Sequence, residues 1–164
     1  MTTAVLSVGS NMGDRLAHLQ STVDALPVLA VSPVYETAPW GVTDQDDFLN
    51  AVLVVADDDL DEWGWLHRAH ELEQAADRVR DRRWGPRTLD VDIVTVAGVT
   101  SADPRLVLPH PRAHERAFVL VPWLAVRPDA ELAGHGRVAD LVAGLARDEV
   151  AGVRLRADLT LEAV

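Results

Sequence analysis

The chain of 164 residues contains no cysteine. It can therefore form no disulfide framework, and it has neither a thiolate ligand for a metal ion nor a thiol nucleophile. The length and the 48% hydrophobic content suffice for one well-packed core and are small for two. We therefore expect residues 1–164 to form a single domain.

Lysine is absent too, so all 15 basic residues are arginines. This excludes a Walker-type phosphate loop, whose lysine reaches the phosphates, and Schiff-base chemistry, which needs a lysine amine. An arginine bias can reflect the base composition of a genome. Five arginines nevertheless crowd into one short segment of an acidic chain, where a local positive field can attract a compact polyanion such as ATP. They are Arg78, Arg80, Arg82, Arg83 and Arg87.

Excess positive charge and long hydrophobic runs are also missing. The net charge of -11 argues against a nucleic-acid partner, which normally demands a basic face, and against binding to a membrane surface. The longest apolar runs, such as Phe118–Val126, are far shorter than a membrane span, and the first residues lack the basic segment of a secretory signal. We therefore expect a cytoplasmic protein with no nucleic-acid or membrane partner.

The order of apolar runs and helical periodicities is β-α-β-β-α-β. This order predicts an α+β fold of the ferredoxin-like kind, an antiparallel sheet with both helices on one face. Asp14 is placed to cap the first helix, and we expect the fourth strand to be central. The predicted strands are 4–8, 29–35, 48–56 and 91–96, and the predicted helices are 14–26 and 60–76.

The rest of the chain gives a weaker pattern of C-terminal helical additions. It predicts an extended piece at 106–108, helices at 115–124 and 138–147, and a strand at 153–155. We expect residues 155–164 to be at most a loose tail. Two segments, 37–47 and 77–90, are predicted as long irregular loops, and long loops in compact domains are usually functional.

Two aspartates begin the fourth predicted strand. Successive strand residues point to opposite sides, so Asp90 and Asp92 project together while Val91 and Ile93 turn into the core. Adjacent carboxylates repel each other, and Mg²⁺, which is typically held by one or two carboxylates plus substrate phosphates, relieves the repulsion. The arginines upstream suit the phosphates. The segment is therefore interpreted as half of a metal-triphosphate site, the alternative being a solvated edge strand.

Five acidic residues in positions 57–62 form a second candidate cluster. They could be taken for metal ligands, but acidic residues at the start of a helix also complement its dipole. We interpret them as the beginning of the second helix. They are Asp57, Asp58, Asp59, Asp61 and Glu62.

Aromatic residues make up only 5% of the chain, and two of them flank the expected site. Phe48 begins a strand after the first loop and Phe118 follows Arg116. A flat heteroaromatic substrate is favourably held between ring faces, although either ring could simply belong to the core. Asn50 shares the strand face of Phe48, and its amide can read a ring edge or satisfy the strand edge.

These residues occur within motifs that resemble, in order and spacing, the 6-hydroxymethyl-7,8-dihydropterin pyrophosphokinase family. The resemblance covers about residues 4–130, and its Arg-Trp-Gly-Pro-Arg to Asp-x-Asp block is highly specific. The motifs are Gly9-Ser10-Asn11, Tyr35-Glu36-Thr37-Ala38-Pro39, Phe48-Leu49-Asn50, Arg78-Val79-Arg80, Arg83 to Ile93, Pro109-His110-Pro111 and Arg116-Ala117-Phe118-Val119-Leu120.

The resemblance implies transfer of the β,γ-pyrophosphoryl group of ATP to the hydroxymethyl oxygen of the pterin, with release of AMP, in folate biosynthesis. It implies two Mg²⁺ ions on Asp90 and Asp92, which would act in catalysis with Arg78 and Arg87. The implied ATP-binding residues are His70, Glu73, Arg78, Arg80, Arg87, His110 and Arg116. The implied pterin-binding residues are Thr37, Pro39, Trp40, Phe48, Asn50, Trp84 and Phe118.

The chain departs from the family at Asp77, where a glycine is usual, and at His70, where an amide or apolar residue is usual. Neither departure removes a metal ligand. The general base stays open between Asp92 and a metal-bound hydroxyl group. The remaining histidines have no matching role and no zinc-like spacing, so we expect them at the surface or at an interface. They are His18, His67, His114 and His135.

Two other functions are compatible with the predicted fold. A catalytically silent nucleotide- or pterin-binding domain would have no need of the Asp90 and Asp92 pair beside Arg78 and Arg87. An RNA-binding sheet of the same topology would need a basic face with exposed aromatic residues, and the net charge of -11 counts against it. We expect an ATP- and pterin-binding monomer.

Overall fold

A computed structural model describes residues 2–38, 46–77 and 88–163. Both strands and α-helices contribute residues to its core, which confirms the α+β class. The strands are β1 (Thr2–Ser10), β2 (Val28–Val31), β3 (Tyr35–Thr37), β4 (Phe48–Asp57), β5 (Asp90–Val96), β6 (Ser101–Asp103), β7 (Leu106–Leu108), β8 (Glu131–Leu132), β9 (Gly136–Arg137) and β10 (Arg154–Leu155). The α-helices are α1 (Arg15–Ala25), α2 (Glu62–Asp77), α3 (Ala117–Val126), α4 (Val138–Ala143) and α5 (Arg147–Ala151), and a 3₁₀ turn spans Ala113–Glu115.

The main sheet is antiparallel, with the strand order β10-β3-β4-β1-β5 and with β2 also paired to β4. In the described part of the chain β5 lies at the end of this order, so the prediction of a central strand is wrong. The apolar run is nevertheless explained, because β5 is covered on both faces. Val91 and Ile93 belong to one buried cluster and Val94 to another on the opposite face.

The predicted strand 29–35 is instead two short strands, β2 and β3. The amide of Ser32 still donates to the carbonyl of Val52 at 2.9 Å, and Tyr35 pairs with Asn50. The three residue steps from Ser32 to Tyr35 therefore lie opposite the two steps from Val52 to Asn50 of β4. One extra residue on one of two paired strands defines a β-bulge. Pro33 lies inside the extra step, where its missing N–H removes a donor from the ladder.

Helices α1 and α2 cover one face of the sheet, as predicted. Leu19 and Val23 of α1 are buried in one cluster with Trp65 and Ala69 of α2. Asp14 caps α1, because its Oδ1 accepts the amide of Ala17 at 3.1 Å. This face therefore supplies a large part of the apolar core, at roughly 25 cal/mol per Å² of buried apolar surface.

The acidic segment before α2 also behaves as predicted. Asp61 Oδ1 accepts the amide of Gly64 at 2.8 Å, and Asp57 Oδ1 accepts the amide of Asp59 at 2.8 Å. Within the described residues, no group of three or more histidine or acidic side chains is arranged to hold a metal ion. The hydrogen bond of Asp61 is the one expected of an acidic residue at the start of a helix, as the helix-start interpretation predicts.

The opposite face of the sheet is covered in one part by the C-terminal additions. Leu120 and Trp123 of α3, Leu132 of β8 and Val138 of α4 pack there against Val52. The predicted helix 138–147 is wrong in its extent, because α4 ends at Ala143 and α5 begins only after Gly144. None of the helices in the described ranges is long and apolar enough to cross a membrane.

Residues 155–163 of the segment expected as a loose tail are mostly exposed, but several of them contact the rest of the fold. Leu161 is buried in the cluster beneath α1, and the amide and carbonyl groups of Glu162 both bond the side chain of Gln20 at 2.9 and 2.8 Å. The strand predicted at 153–155 is present as β10. It extends the sheet beside β3.

Candidate functional site

The half of the sheet face that α3 and α4 leave uncovered forms the floor of a cleft of about 900 Å³. Strands β1, β3, β4 and β5 contribute side chains to the floor, and the turn before α3 and the α4–α5 segment contribute walls. Several residues of the proposed site line this cleft together. They are Thr37, Phe48, Asn50, Asp90, Asp92, Arg116 and Phe118.

The register of the strands aligns the two ends of the site across Gly9. This glycine of β1 lies opposite Asn50 of β4 on one side and Asp90 of β5 on the other. We call the side of Asn50 the amide end of the cleft and the side of Asp90 and Asp92 the acidic end. A Cβ atom at position 9 would lie 2.9 Å from Asn50 Oδ1, too close for an ordinary contact. The glycine therefore lets the Asn50 amide lie across the floor toward the acidic edge.

The two carboxylates project from β5 as the strand alternation predicts. Asp90 and Asp92 line the cleft, whereas Val91 and Ile93 are each 5% exposed on the other face. The Asp92 carboxylate is 46% exposed, and its Oδ2 lies 3.9 Å from Nη1 of Arg116. This long contact neutralises the Asp92 charge only in part, which suits a carboxylate that holds a cation.

Arg116 connects the acidic and aromatic ends of the cleft. It precedes α3, and its guanidinium carbon lies 5.5 Å from the ring centroid of Phe118. The ring face attracts this cation, and the stacked geometry limits the conformations of both side chains. Arg116 thus lies between an aromatic ring and a carboxylate, where an anionic group of a substrate could replace Asp92 as its partner.

The amide end of the floor is ordered by one short hydrogen bond. Asn50 Nδ2 donates to Thr37 Oγ1 at 2.7 Å, and Asn50 is only 4% exposed. Thr37 pairs with Phe48 across β3 and β4, so the three side chains share one face. An amide, a hydroxyl and an aromatic ring are thereby held together at a half-buried surface suited to a flat polar ring.

His110 lies beside the acidic end in a neutral form. Its Nδ1 accepts the amide of Arg112 at 3.1 Å, so the donor that remains is Nε2–H. Burial is the main cause that lowers the pKa of His110, and Arg116 and Arg112 lower it further against the opposing charge of Asp92. A neutral imidazole can donate one hydrogen bond to an oxyanion without adding charge.

The two predicted residues of α2 behave differently from each other. Glu73 Oε2 accepts the backbone amide of Val91 at 3.0 Å, which ties α2 to β5 between the two aspartates. His70 is exposed on α2, one turn earlier. Among the hydrogen bonds of the described residues, Glu73 is therefore connected to the acidic end and His70 is not.

Several site predictions fall outside the described residues. Arg78, Arg80, Trp84 and Arg87 of the second predicted loop do so. Pro39 and Trp40 of the first loop are the others. Their assignments rest on the sequence motifs alone.

Sequence reasoning missed one wall of the cleft. Gly144, Ala146 and Glu149 of the α4–α5 segment line it, although this region gave only a weak helical signal. His114, expected at the surface or an interface, also lines the cleft and stacks on His135 with ring centroids 4.1 Å apart. The position of the α4–α5 segment and that of His114 both depend on tertiary packing, which no local sequence pattern predicts.

Paired carboxylates next to arginines in one cleft are typical of metal-dependent phosphoryl-transfer enzymes. Comparison with known proteins specifies the group further. The model of the 7,8-dihydro-6-hydroxymethylpterin-pyrophosphokinase (HPPK) family matches residues 5–128. The chain therefore belongs to that family.

Individual relatives carry the name 2-amino-4-hydroxy-6-hydroxymethyldihydropteridine pyrophosphokinase. The chain is 54% identical to the one from Mycobacterium leprae over 99% of its own length and 92% of the relative's. It is 46% identical to the one from Methylorubrum extorquens, over 82% and 89%. The wild-type HPPK-DHPS structure of Plasmodium falciparum superposes with a TM-score of 0.66 at 14% identity, over 87% of this chain and 44% of that one. At this identity the superposition shows the fold alone.

Proposed function

We propose that the chain transfers the pyrophosphoryl group of ATP to 6-hydroxymethyl-7,8-dihydropterin, in folate biosynthesis. The hydroxymethyl oxygen attacks the β-phosphorus and gives up its proton. The bond from the β-phosphorus to the oxygen bridging to the α-phosphate breaks, so AMP leaves and the pterin diphosphate remains. One observation carries the proposal beyond family membership: Asp90 and Asp92 open into the same cleft as Asn50, Thr37 and Phe48.

Magnesium ions fit the acidic end of this cleft. Asp90 and Asp92 supply hard oxygen donors from one strand face, and the long contact of Asp92 with Arg116 leaves room for a cation. These two carboxylates would hold the ions, two by the family resemblance. When bound, the ions neutralise phosphate charge. Asp92 remains a candidate for the general base, and the bound ions would supply the alternative way of activating the attacking oxygen.

The remaining polar groups are assigned to ATP by the same reasoning. Arg116 binds an anionic phosphate oxygen through its guanidinium fork, and neutral His110 donates through Nε2. Glu73 positions β5 through the Val91 amide. Phosphoryl-type transfer depends mainly on positioning and charge neutralisation, so these groups suffice without a covalent intermediate. Arg78, Arg80, Arg87 and His70 complete the proposed set from the family motifs.

The pterin is proposed to occupy the amide end. Asn50 and Thr37 offer both hydrogen-bond donors and acceptors to the edge of a flat ring, and Phe48 and Phe118 offer apolar faces. This arrangement would direct the hydroxymethyl arm toward the aspartates across Gly9. Pro39, Trp40 and Trp84 are assigned to the same substrate from the motifs.

We also infer that the main sheet is ferredoxin-like. If β2 and β3 are counted as two halves of one edge strand, the chain runs β-α-β-β-α-β with α1 and α2 on one face. Contacts of α3 with β4 support a single domain that includes the C-terminal additions. The monomeric state and the cytoplasmic location stay predictions from the sequence.

The decisive experiment measures AMP formation from ATP. The wild type should form AMP only when 6-hydroxymethyl-7,8-dihydropterin and Mg²⁺ are both present, and EDTA should abolish the reaction. Asp92→Asn should lower the rate by about 10²–10³-fold, because a neutral amide neither holds the cation nor accepts a proton as well. Asp129→Asn, at a fully exposed aspartate outside the cleft lining, should leave the rate unchanged.

The same experiment separates the alternative function. Pterin binding without pterin-dependent AMP would identify a silent binding domain and refute the proposal. AMP formation that needs no pterin would refute it in another way, because the acceptor would then be water.

A further inference from the structure

The strand β10 brings two arginines from the C-terminal segment to the edge of the sheet. Arg154 and Leu155 pair with Glu36 and Tyr35 of β3, and the amide of Arg156 donates to the carbonyl of Val34 at 2.8 Å. Backbone hydrogen bonds thereby fix the segment beside β3. The side chains of its arginines are placed where β3 meets β4.

Glu36 is the centre of a charged group that includes these arginines. Its Oε2 accepts Nη1 of Arg15 at 2.7 Å, its Oε1 accepts Nη1 of Arg156 at 3.3 Å, and Nη2 of Arg154 lies 3.9 Å away. The Glu36 side chain is only 16% exposed. We use the name Glu36 clamp for Arg15, Glu36, Asp47, Arg154 and Arg156.

The clamp also holds the residue that enters β4. Arg154 Nη2 donates to Asp47 Oδ2 at 2.6 Å, and Arg15 Nη1 donates to the backbone carbonyl of Asp47 at 2.8 Å. The backbone carbonyl of the preceding residue, Asp46, accepts Asn11 Nδ2 at 3.3 Å. Two successive backbone positions are therefore fixed immediately before Phe48.

The Glu36 clamp lies on the opposite face of β3 from the cleft. Glu36 alternates with Tyr35 and Thr37 along β3, so it points to the α1 side while Thr37 points into the cleft. Thr37 pairs with Phe48, and its Oγ1 accepts the Asn50 amide. A displacement of Asp47 or of β3 would therefore move the groups of the amide end together.

We propose that the Glu36 clamp is a positioning device for the acceptor end of the cleft, and that the C-terminal strand thereby takes part in recognition of the flat acceptor. The inference rests on the proposed function, which assigns that end to the pterin. None of its five residues acts on the reacting atoms. They act through Phe48, Thr37 and Asn50, whereas the aspartates of β5 lie on the other side of β1.

Isolated exposed ion pairs contribute little to stability. We therefore expect a substitution in the clamp to have a moderate effect, and to affect binding of the pterin more than binding of ATP. Arg154→Asp places a third carboxylate beside Glu36 and Asp47 and should weaken binding of the pterin about fivefold. Binding of ATP should change less than twofold. The charge-exchanged double variant Arg154→Asp/Asp47→Arg restores an attractive pair and should recover pterin affinity to within about twofold.

Calorimetric titration with 6-hydroxymethyl-7,8-dihydropterin provides the direct readout. It is done in Mg²⁺ with the α,β-methylene analogue of ATP, whose blocked bond prevents turnover. The matched control is Arg105→Asp, which reverses an exposed arginine bidentate to Asp103 in the β6–β7 hairpin. It should leave pterin affinity unchanged. The KM for pterin should rise in Arg154→Asp with kcat unchanged.

The outcomes separate the two proposals. If the wild type forms pterin-dependent AMP but Arg154→Asp binds pterin normally, the clamp inference fails and the proposed function stands. Equal losses of pterin and ATP affinity, a loss of thermal stability alone, or no recovery in the double variant would also overturn it. If the wild type binds pterin but forms no AMP, the proposed function fails and the titrations still decide the role of the clamp.

Discussion

The two halves of one sheet face differ in chemistry although three strands, β1, β4 and β5, contribute to both. In the covered half β1, β4 and β5 present Val5, Val52 and Val94 to α3 and α4. A few residues further along, the same strands present Gly9, the amide of Asn50 and the carboxylates of Asp90 and Asp92 to the cleft. The strands therefore anchor a binding surface in a hydrophobic core.

This contrast also explains why the polar half can remain polar. Repelling carboxylates and a buried amide are unfavourable in a core unless they are paired. Here the Asn50 amide bonds Thr37, and Asp92 is 46% exposed at the sheet edge. The apolar half provides stability that the polar half does not. Substitutions in the two halves should therefore affect different measurements.

The largest expected effect is on stability, from a substitution in the covered half. Leu132→Ala should lower the free energy of unfolding by about 2–5 kcal/mol, because Leu132 is 1% exposed and its removal leaves a cavity. The kcat and both KM values of the folded fraction should stay unchanged. Urea unfolding and AMP formation at 25 °C check the two parts.

Leu29→Ala is the matched control, because Leu29 is 58% exposed. It should change stability by less than about 0.5 kcal/mol. A loss of pterin affinity in folded Leu132→Ala would break the contrast, since it would show that the covered half shapes the site directly.

Local patterns predicted the parts of this contrast that depend on neighbours in sequence. Alternation along β5 separated Asp90 and Asp92 from Val91 and Ile93, and the motif at 48–50 brought an aromatic ring and an amide to one face. The capping by Asp14 was equally local. Each of these follows from the geometry of a single strand or helix end.

Features that depend on distant pairing were missed. The contact between β10 and β3 joins Arg154 to Glu36, residues far apart in sequence, and it involves only two residue pairs. The strand at 153–155 was predicted, but a strand of so few residues carries too little pattern to specify its partner, so nothing local indicated its pairing with β3 or the Glu36 clamp.

A smaller effect is expected from the floor that separates the two ends of the cleft. Gly9→Ala would bring a Cβ within 2.9 Å of Asn50 Oδ1 and so displace the amide. Affinity for the pterin should fall about tenfold, equivalent to about 1.4 kcal/mol, while ATP affinity changes little. Calorimetric titration of each substrate measures both.

Gly64→Ala provides a matched control, because its Cβ would also meet a side-chain atom, Leu60 Cδ2, at 2.9 Å, but at the start of α2. It should leave both affinities unchanged. Normal pterin binding by Gly9→Ala would mean that Asn50 can move without loss, and the amide end would then lack the rigidity assigned to it.

The smallest effect concerns the pH dependence of stability at the acidic end. Burial lowers the pKa of His110 from its ordinary 6.5, so the unfolded chain takes up the proton more readily than the folded one. His110 therefore makes the folded state less stable as the pH falls from 6.5 toward the lowered pKa. His110→Gln should remove this contribution, so its stability should decline less steeply than that of the wild type over this window. Urea unfolding in EDTA at successive pH values gives the stability curves of both proteins. Parallel curves would contradict the prediction, because they would show that His110 takes up a proton as readily in the folded protein as in the unfolded chain.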